Sequence, residues 1–203
     1  MTRGRFLTLE GVDGAGKSTH VAWLAEQLGA RGHAVLVTRE PGGTPLAERL
    51  RELVLAEPMD PIAETMLLFA ARADHVQRVI APALHAGTWV LCDRFTDATF
   101  AYQGGGKGVA AELIAHLAQA SHNGLLPDRT LVFDCPYEVS RERLARTGRA
   151  PDRFEREDRG FFERVRQAYL GLAHANPERI RVLDASRPVA DIKKVIEEEI
   201  STL

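Results

Sequence analysis

The sequence predicts an α/β fold, a five-stranded parallel sheet flanked by helices, in one domain spanning residues 1–203. Three observations predict it. Five short apolar runs alternate with longer amphipathic patterns. The runs are nearly continuous rather than alternating in polarity, as expected for parallel strands buried on both faces. The length suits one domain with its own core, and no internal repeat, low-complexity stretch or linker rich in Pro, Gly or Ser divides it.

The elements follow in order. Residues 6–9 make the first strand. A helix from 17 to about 31 carries Val21, Leu24, Ala25 and Leu28 on one face. Residues 34–37 form the second strand, and helical patterns cover 45–56 and 62–86, the latter with Met66, Leu67, Phe69 and Ala70. The third strand is 89–92. A helix near 109–121 leads to the fourth strand, 130–133. Helices near 137–145 and 155–174 precede the fifth strand, 180–183, and a last helix covers 188–201.

Composition narrows the function. Hydrophobic residues make up 45% and charged residues 27%, which excludes a disordered or fibrous chain. Net charge is −2, so a wholly basic nucleic-acid binder is not expected. Of 26 basic residues, 22 are Arg and only Lys17, Lys107, Lys193 and Lys194 are Lys. Cys92 and Cys135 stand apart in apolar runs, without metal spacing or a disulfide framework, and read as small buried residues. No apolar run approaches the ~20 residues of a membrane span, and the N-terminus shows no signal-peptide pattern. The expectation is a cytoplasmic protein with no membrane or nucleic-acid partner.

Ligands of such sheets sit beyond the carboxyl ends of the strands. After the first strand comes Gly11-Val12-Asp13-Gly14-Ala15-Gly16-Lys17-Ser18, which fits G-x-x-x-x-G-K-[ST]. Its glycines let successive N–H groups turn inward around phosphate oxygens, and the helix that follows adds its positive end. Lys17 reaches the β- and γ-phosphates, and the Ser18 hydroxyl can ligate Mg²⁺. A Lys here, in a chain that nearly always chooses Arg, suggests a need for a compact charge.

The later strand ends add candidates. Arg39 and Thr44 flank a Pro41-Gly42-Gly43 turn that can clamp an anion. Asp93 ends the third strand, where an acid can organise Mg²⁺ directly or through water, and Arg94 beside it can neutralise a second phosphate. Thr99, Tyr102 and Gln103 offer hydrogen bonds and an aromatic face to a flat polar ring, and Gly104-Gly105-Gly106 reads as a mobile or tightly turning loop. Phe69 and Arg72, three apart, share a helix face. Nine arginines lie between 141 and 166, mostly on solvated helix faces. Arg146, Arg149 and Arg153 differ, because Gly148 and Pro151 place them on a flexible loop that can close over a triphosphate.

With these motifs in this order and spacing, the chain resembles the thymidylate kinase family over nearly its whole length. The carriers are Leu9-Glu10-Gly11-Val12-Asp13-Gly14-Ala15-Gly16-Lys17-Ser18-Thr19, Arg39-Glu40-Pro41-Gly42-Gly43-Thr44, Asp93-Arg94-Phe95 and Ala101-Tyr102-Gln103-Gly104-Gly105-Gly106. The resemblance implies a P-loop nucleoside monophosphate kinase-like fold, with transfer of the ATP γ-phosphate to dTMP in the presence of Mg²⁺. It implies that residues 11–19, Arg146 and Arg187 serve ATP. Arg39 and Arg94 would hold the dTMP phosphate, Phe69 would stack on thymine, and Arg72 would contact the base. Thr99 and Gln103 would line the base pocket, Asp13 would face the 3′-hydroxyl region, and Tyr102 would crowd the 2′ position. The loop 185–188 would lie near adenine, and a homodimer joined through helices is implied.

Some family members carry an Arg in the P-loop, where this chain has Gly14-Ala15. The compensating charge is then expected in a lid near 146–153, with Arg149 the first choice for the transition state and Arg153 and Arg146 next. Phe95 stands where Tyr or His is common, so a hydrogen bond from that ring is not available. The catalytic set expected is Lys17, Arg94, Arg149, Arg153 and Asp13. A P-loop kinase for another monophosphate, and a non-catalytic nucleotide switch, remain as alternatives, although the Asn-Lys-x-Asp guanine signature is absent.

Overall fold

The computed structural model describes residues 3–203. Strands β1 (Phe6–Glu10), β2 (Val35–Arg39), β3 (Trp89–Asp93), β4 (Arg129–Asp134) and β5 (Ile180–Asp184) form a parallel sheet in the order β2-β3-β1-β4-β5. The chain places β2 at one edge, returns to insert β3 beside β1, and then adds β4 and β5 outward on the other side, which opens a crevice at the carboxyl end of β1. Every strand runs one or two residues past its apolar stretch and ends on a charge: Glu10, Arg39, Asp93, Asp134 and Asp184. Asp93 lies level with both Leu9 and Arg39, so these charges gather at one rim.

Successive residues of β1 point to opposite faces and join two core clusters. Leu7 and Leu9 pack with Leu24, Leu28, Leu131 and Ile196. Phe6 packs with Val76, Ile80, Val90 and Phe95. Central strands are buried along their length, while the edge strands are partly exposed, with Val37 and Val182 open to solvent.

The helices are α1 (Lys17–Ala30), α2 (Pro45–Ala56), α3 (Pro61–His75), α4 (Ala81–His85), α5 (Thr96–Thr99), α6 (Ala111–His122), α7 (Tyr137–Ala145), α8 (Arg159–Ala175) and α9 (Val189–Ser201). Their starts follow capping rules. Thr44 Oγ1 accepts from Ala47 N at 3.1 Å and Asp60 from Ile62 N at 2.8 Å, each followed by Pro at the first helical position. Among the described residues, no helix is long and apolar enough to cross a membrane. Cys92 and Cys135 are buried and unpaired.

Three expectations need correction. The helix read at 62–86 is α3 and α4 joined by a π turn over Val76–Ile80. Pro82 has no N–H and crowds the carbonyl four residues earlier, which widens the turn before it. The helix read from 155 begins at Arg159, because Asp158 caps it by accepting from Phe161 N at 2.7 Å. The supposed loop at Gly104-Gly105-Gly106 is instead a wide π-helical turn, Phe100–Gly106, continuing α5. Its glycines allow close approach to α8: a Cβ on Gly105 would lie 2.5 Å from Ala168 Cβ, and one on Gly106 2.5 Å from the Phe161 ring.

Candidate active site

The P-loop is a backbone device. Gly11, Gly14 and Gly16 have φ of 126°, 76° and 96°, where L side chains are strained. A Cβ on Gly11 would stand 2.4 Å from Phe133 O, and one on Gly14 2.5 Å from Ser140 O. Helix α7 buttresses the loop from outside. Ser140 Oγ donates to Asp13 O at 2.7 Å, and Arg143 donates to Ala15 O at 3.1 Å and to Ala185 O at 2.8 Å. Lys17, at the first position of α1, is buried and donates to Gly11 O and Val12 O, both at 3.1 Å. Burial, and next the neighbouring Arg94, pull its ammonium below the ordinary lysine range.

Around this loop opens a cavity of about 530 Å³. Six basic side chains line it: Lys17, Arg39, Arg51, Arg94, Arg143 and Arg149. Ser18 and Thr19 line it with exposed side chains, and Ala185, Val189 and Ile192 form an apolar wall. Asp93 also lines it, and its Oδ1 is buried with no hydrogen-bond partner. A hydroxyl and a spare carboxylate oxygen beside a phosphate cradle are donors that suit a hard cation such as Mg²⁺.

A second pocket of about 90 Å³ adjoins the first and shares Asp13, Glu40, Arg51 and Arg94 with it. Arg94 is the joint. Its backbone has φ 72°, an uncommon conformation for a non-glycine. Its guanidinium donates to Gly11 O at 2.7 Å, Asp13 Oδ1 at 2.7 Å, Tyr102 OH at 3.0 Å and Tyr169 OH at 3.1 Å. Tyr102 OH donates in turn to Asp13 Oδ2 at 3.0 Å. Burial alone would raise the Asp13 carboxyl, but Arg94 and Lys17 outweigh it and hold it at about 2.

Glu10 supports this joint from β1, a role the sequence reading missed. Fully buried, it accepts from Phe95 N at 2.7 Å and Tyr169 OH at 2.8 Å. Burial, then Asp97, push its carboxyl up to about 7.

The smaller pocket has Thr99, Tyr102, Gln103, Arg72 and Phe95 in its walls. Arg72 is held by Glu40 (2.5 Å), Thr99 Oγ1 (3.0 Å) and Phe95 O (3.2 Å), and its Nη1 is buried without a partner. That orphaned donor fits an acceptor on a ligand. Phe69 is not in the pocket wall. It packs with Val109, Ile114 and Ala118, and the Arg72 guanidinium lies 4.7 Å over its ring.

The arginine segment does not converge as the sequence suggested. Arg149 faces the large cavity but is clamped by both oxygens of buried Glu155. Arg146 is exposed and pairs with Glu142 one helical turn away. Arg153 turns away from the P-loop and donates to Glu64 and to Val54 O. Arg187 is exposed beside Asp191 and does not reach the cavity wall, which its neighbours Ala185 and Val189 form. Long side chains are captured by the nearest carboxylate, and sequence spacing does not say which that is. Arg51 and Arg143 were missed as site residues. For Arg143 a signal existed, since Ser140, Arg143 and Leu144 share one face of α7.

This geometry has a match among known proteins. The family model described as thymidylate kinase matches residues 9–196. The chain belongs to the thymidylate kinase family. It is 58% identical to the thymidylate kinase of Bordetella petrii, over 99% of this chain and 97% of that protein. It is 55% identical to that of Cupriavidus metallidurans, over 99% and 100% respectively. The crystal structure of thymidylate kinase from Ehrlichia chaffeensis is similar with a TM-score of 0.78 and 33% identity, covering 96% of this chain and 98% of that one. The P-loop monophosphate kinase fold expected from the motifs is thus the fold of the family.

Proposed function

We infer that the protein transfers the γ-phosphate of ATP to dTMP, giving dTDP. Family membership supports the reaction. The observation that carries its geometry is the meeting of the two pockets at Arg94 and Asp13, so that a triphosphate and a monophosphate come end to end.

Backbone N–H groups of residues 11–19 hold the ATP phosphates, with Lys17 released from its carbonyl contacts onto them. The apolar wall of Ala185, Val189 and Ile192 takes the adenine. Arg39 and Arg94 bind the dTMP phosphate. The base enters the smaller pocket, where Arg72 Nη1 meets one of its acceptors, and Tyr102 stands beside the sugar and disfavours a 2′-hydroxyl. The attacking phosphate oxygen is already anionic near neutral pH, so no general base is required. Catalysis rests on positioning and on charge neutralisation by Lys17, Arg94 and Arg149. Ser18 and Asp93 would hold Mg²⁺, which neutralises phosphate charge when bound. Residues 146–153 act as a lid in a single catalytic domain, and Arg149 must leave Glu155 to reach the transferring group.

The same reading places the enzyme in the cytoplasm as a homodimer. Ile62 and Met66, exposed on α3, favour helix-to-helix pairing. Coupled ADP release, measured with ATP and Mg²⁺ across nucleoside monophosphates, tests the function. dTMP should be the best acceptor, and a much better rate with dUMP or any other monophosphate rejects the reading.

A further inference from the structure

Glu64 is fully buried in the first turn of α3, outside both cavity walls. Its Oε1 accepts from Gln103 Nε2 at 2.8 Å. Its Oε2 accepts from Lys107 Nζ at 2.7 Å and from Arg153. Arg153 also forks onto Val54 O of α2 at 2.7 and 3.1 Å. Both cations flank the Phe154 ring, at 4.8 Å for Lys107 and 4.7 Å for Arg153. One carboxylate therefore ties together α2, α3, the π turn after α5 and the end of the arginine segment.

The groups it ties are walls of the smaller pocket: Val54, Gln103 and Phe154. An ionised carboxylate only accepts, so Glu64 turns the Gln103 amide with its N–H₂ toward itself and leaves the carbonyl oxygen as the acceptor. Arg153 lies four residues after Arg149, the cation that faces the triphosphate cavity. Filling the smaller pocket and placing Arg149 therefore share one mechanical joint.

Resting on the dTMP kinase reading, we propose that Glu64 couples occupancy of the acceptor-base pocket to the placement of the 146–153 segment. Arg153 is then a positioning residue in this joint and not a group on the transferring phosphate. Base contact with the Gln103 wall steadies Glu64, Glu64 holds Arg153, and Arg153 fixes the hinge end of the segment. Reciprocity follows: ordering the segment tightens dTMP binding by the factor with which dTMP orders the segment.

The full-length enzyme tests this with Glu64→Gln, Arg153→Gln and the double variant. Trypsin cleavage after Arg146 and Arg149 is followed by mass, with and without dTMP, beside KM for dTMP, KM for ATP and kcat. In the wild type, dTMP should slow cleavage about tenfold, within the usual range of coupling between sites. In either single variant the protection should fall below about twofold and KM for dTMP should rise about tenfold, with KM for ATP nearly unchanged. The double variant should be no worse than the worse single one, because both substitutions break one joint.

Protection retained in the variants, or absent in the wild type, overturns the proposal. So do effects that multiply in the double variant, or a loss of kcat of about 10³ in Arg153→Gln at unchanged KM for dTMP, the signature of a transition-state arginine. Should Glu64→Gln lack a cooperative melt, Arg153→Gln decides alone. Wild-type turnover of dTMP tests the underlying reading separately.

Discussion

The P-loop and the arginine segment both present positive charge to one cavity, yet they are built on different principles. In the P-loop the charge is backbone N–H and a helix end, and its geometry is set by glycines at φ values other residues resist. In residues 146–153 the charge sits on long side chains, each held by a carboxylate from a different part of the chain: Glu142, Glu155 and Glu64. The backbone of the first site is formed in advance, and only the Lys17 ammonium must leave Gly11 O and Val12 O. The second must exchange partners before it can act, which is what a closing segment requires.

The largest expected effect tests the preformed half. Lys17→Ala should lower kcat by about 10³ or more, since a fixed charge on the transferring phosphate is lost. Retained turnover in a steady-state assay would remove Lys17 from the mechanism. Arg149→Ala comes next. It should lower kcat by about 10³ with KM for dTMP unchanged, the effect of losing an arginine used only in the transition state. Near-normal kcat would mean that the Glu155 clamp is its only role.

Glycine substitutions sharpen the contrast further. Gly14→Ala meets Ser140 O at 2.5 Å, so chemical denaturation should show a loss of about 2–3 kcal/mol along with weakened ATP binding. Gly148 has φ 66° but nothing within 4 Å of an added Cβ. Gly148→Ala should therefore cost only the backbone strain, about 1 kcal/mol. Equal losses would break the distinction between the two regions.

The smallest effect concerns pH. His122, buried beside Phe95 and bonded to Thr96, is held down at about 4 by burial and then by Arg72. The unfolded chain thus binds an extra proton between about 4 and 6.5, and stability from this group falls as pH drops through that window. Glu10, raised to about 7, has the opposite sign: its folded form holds the extra proton, so stability falls as pH rises from 4.5 toward 7. Thermal melts of His122→Asn should lose the acid-side decline and leave the Glu10 slope visible. An unchanged acid-side profile would contradict the assignment to His122.

Legibility in the sequence followed the same division. The five strands along the chain, the P-loop, Asp93-Arg94 and the pocket-lining Thr99, Tyr102 and Gln103 were readable, because each depends on local pattern at a strand end. Pro82, with its lost N–H, and Asp158, as an N-cap, were visible signals of the helix boundaries that were misplaced. Glu10 carries no such signal, since nothing in its neighbours announces a buried carboxylate beside Arg94. Phe69, which the resemblance implies would stack on thymine, is buried, with the Arg72 guanidinium 4.7 Å over its ring.

By itself the sequence determined the sheet, the phosphate cradle and the family. Their information is carried by periodic burial and by backbone conformations that only certain residues permit. Tertiary structure alone decided that Arg153 pairs with Glu64, that Gly104-Gly105-Gly106 is a π turn pressed on α8, and that Glu64 joins Gln103 of the smaller pocket to Arg153. These depend on contacts between residues 39 to 89 positions apart, whose partners are chosen by packing rather than by spacing.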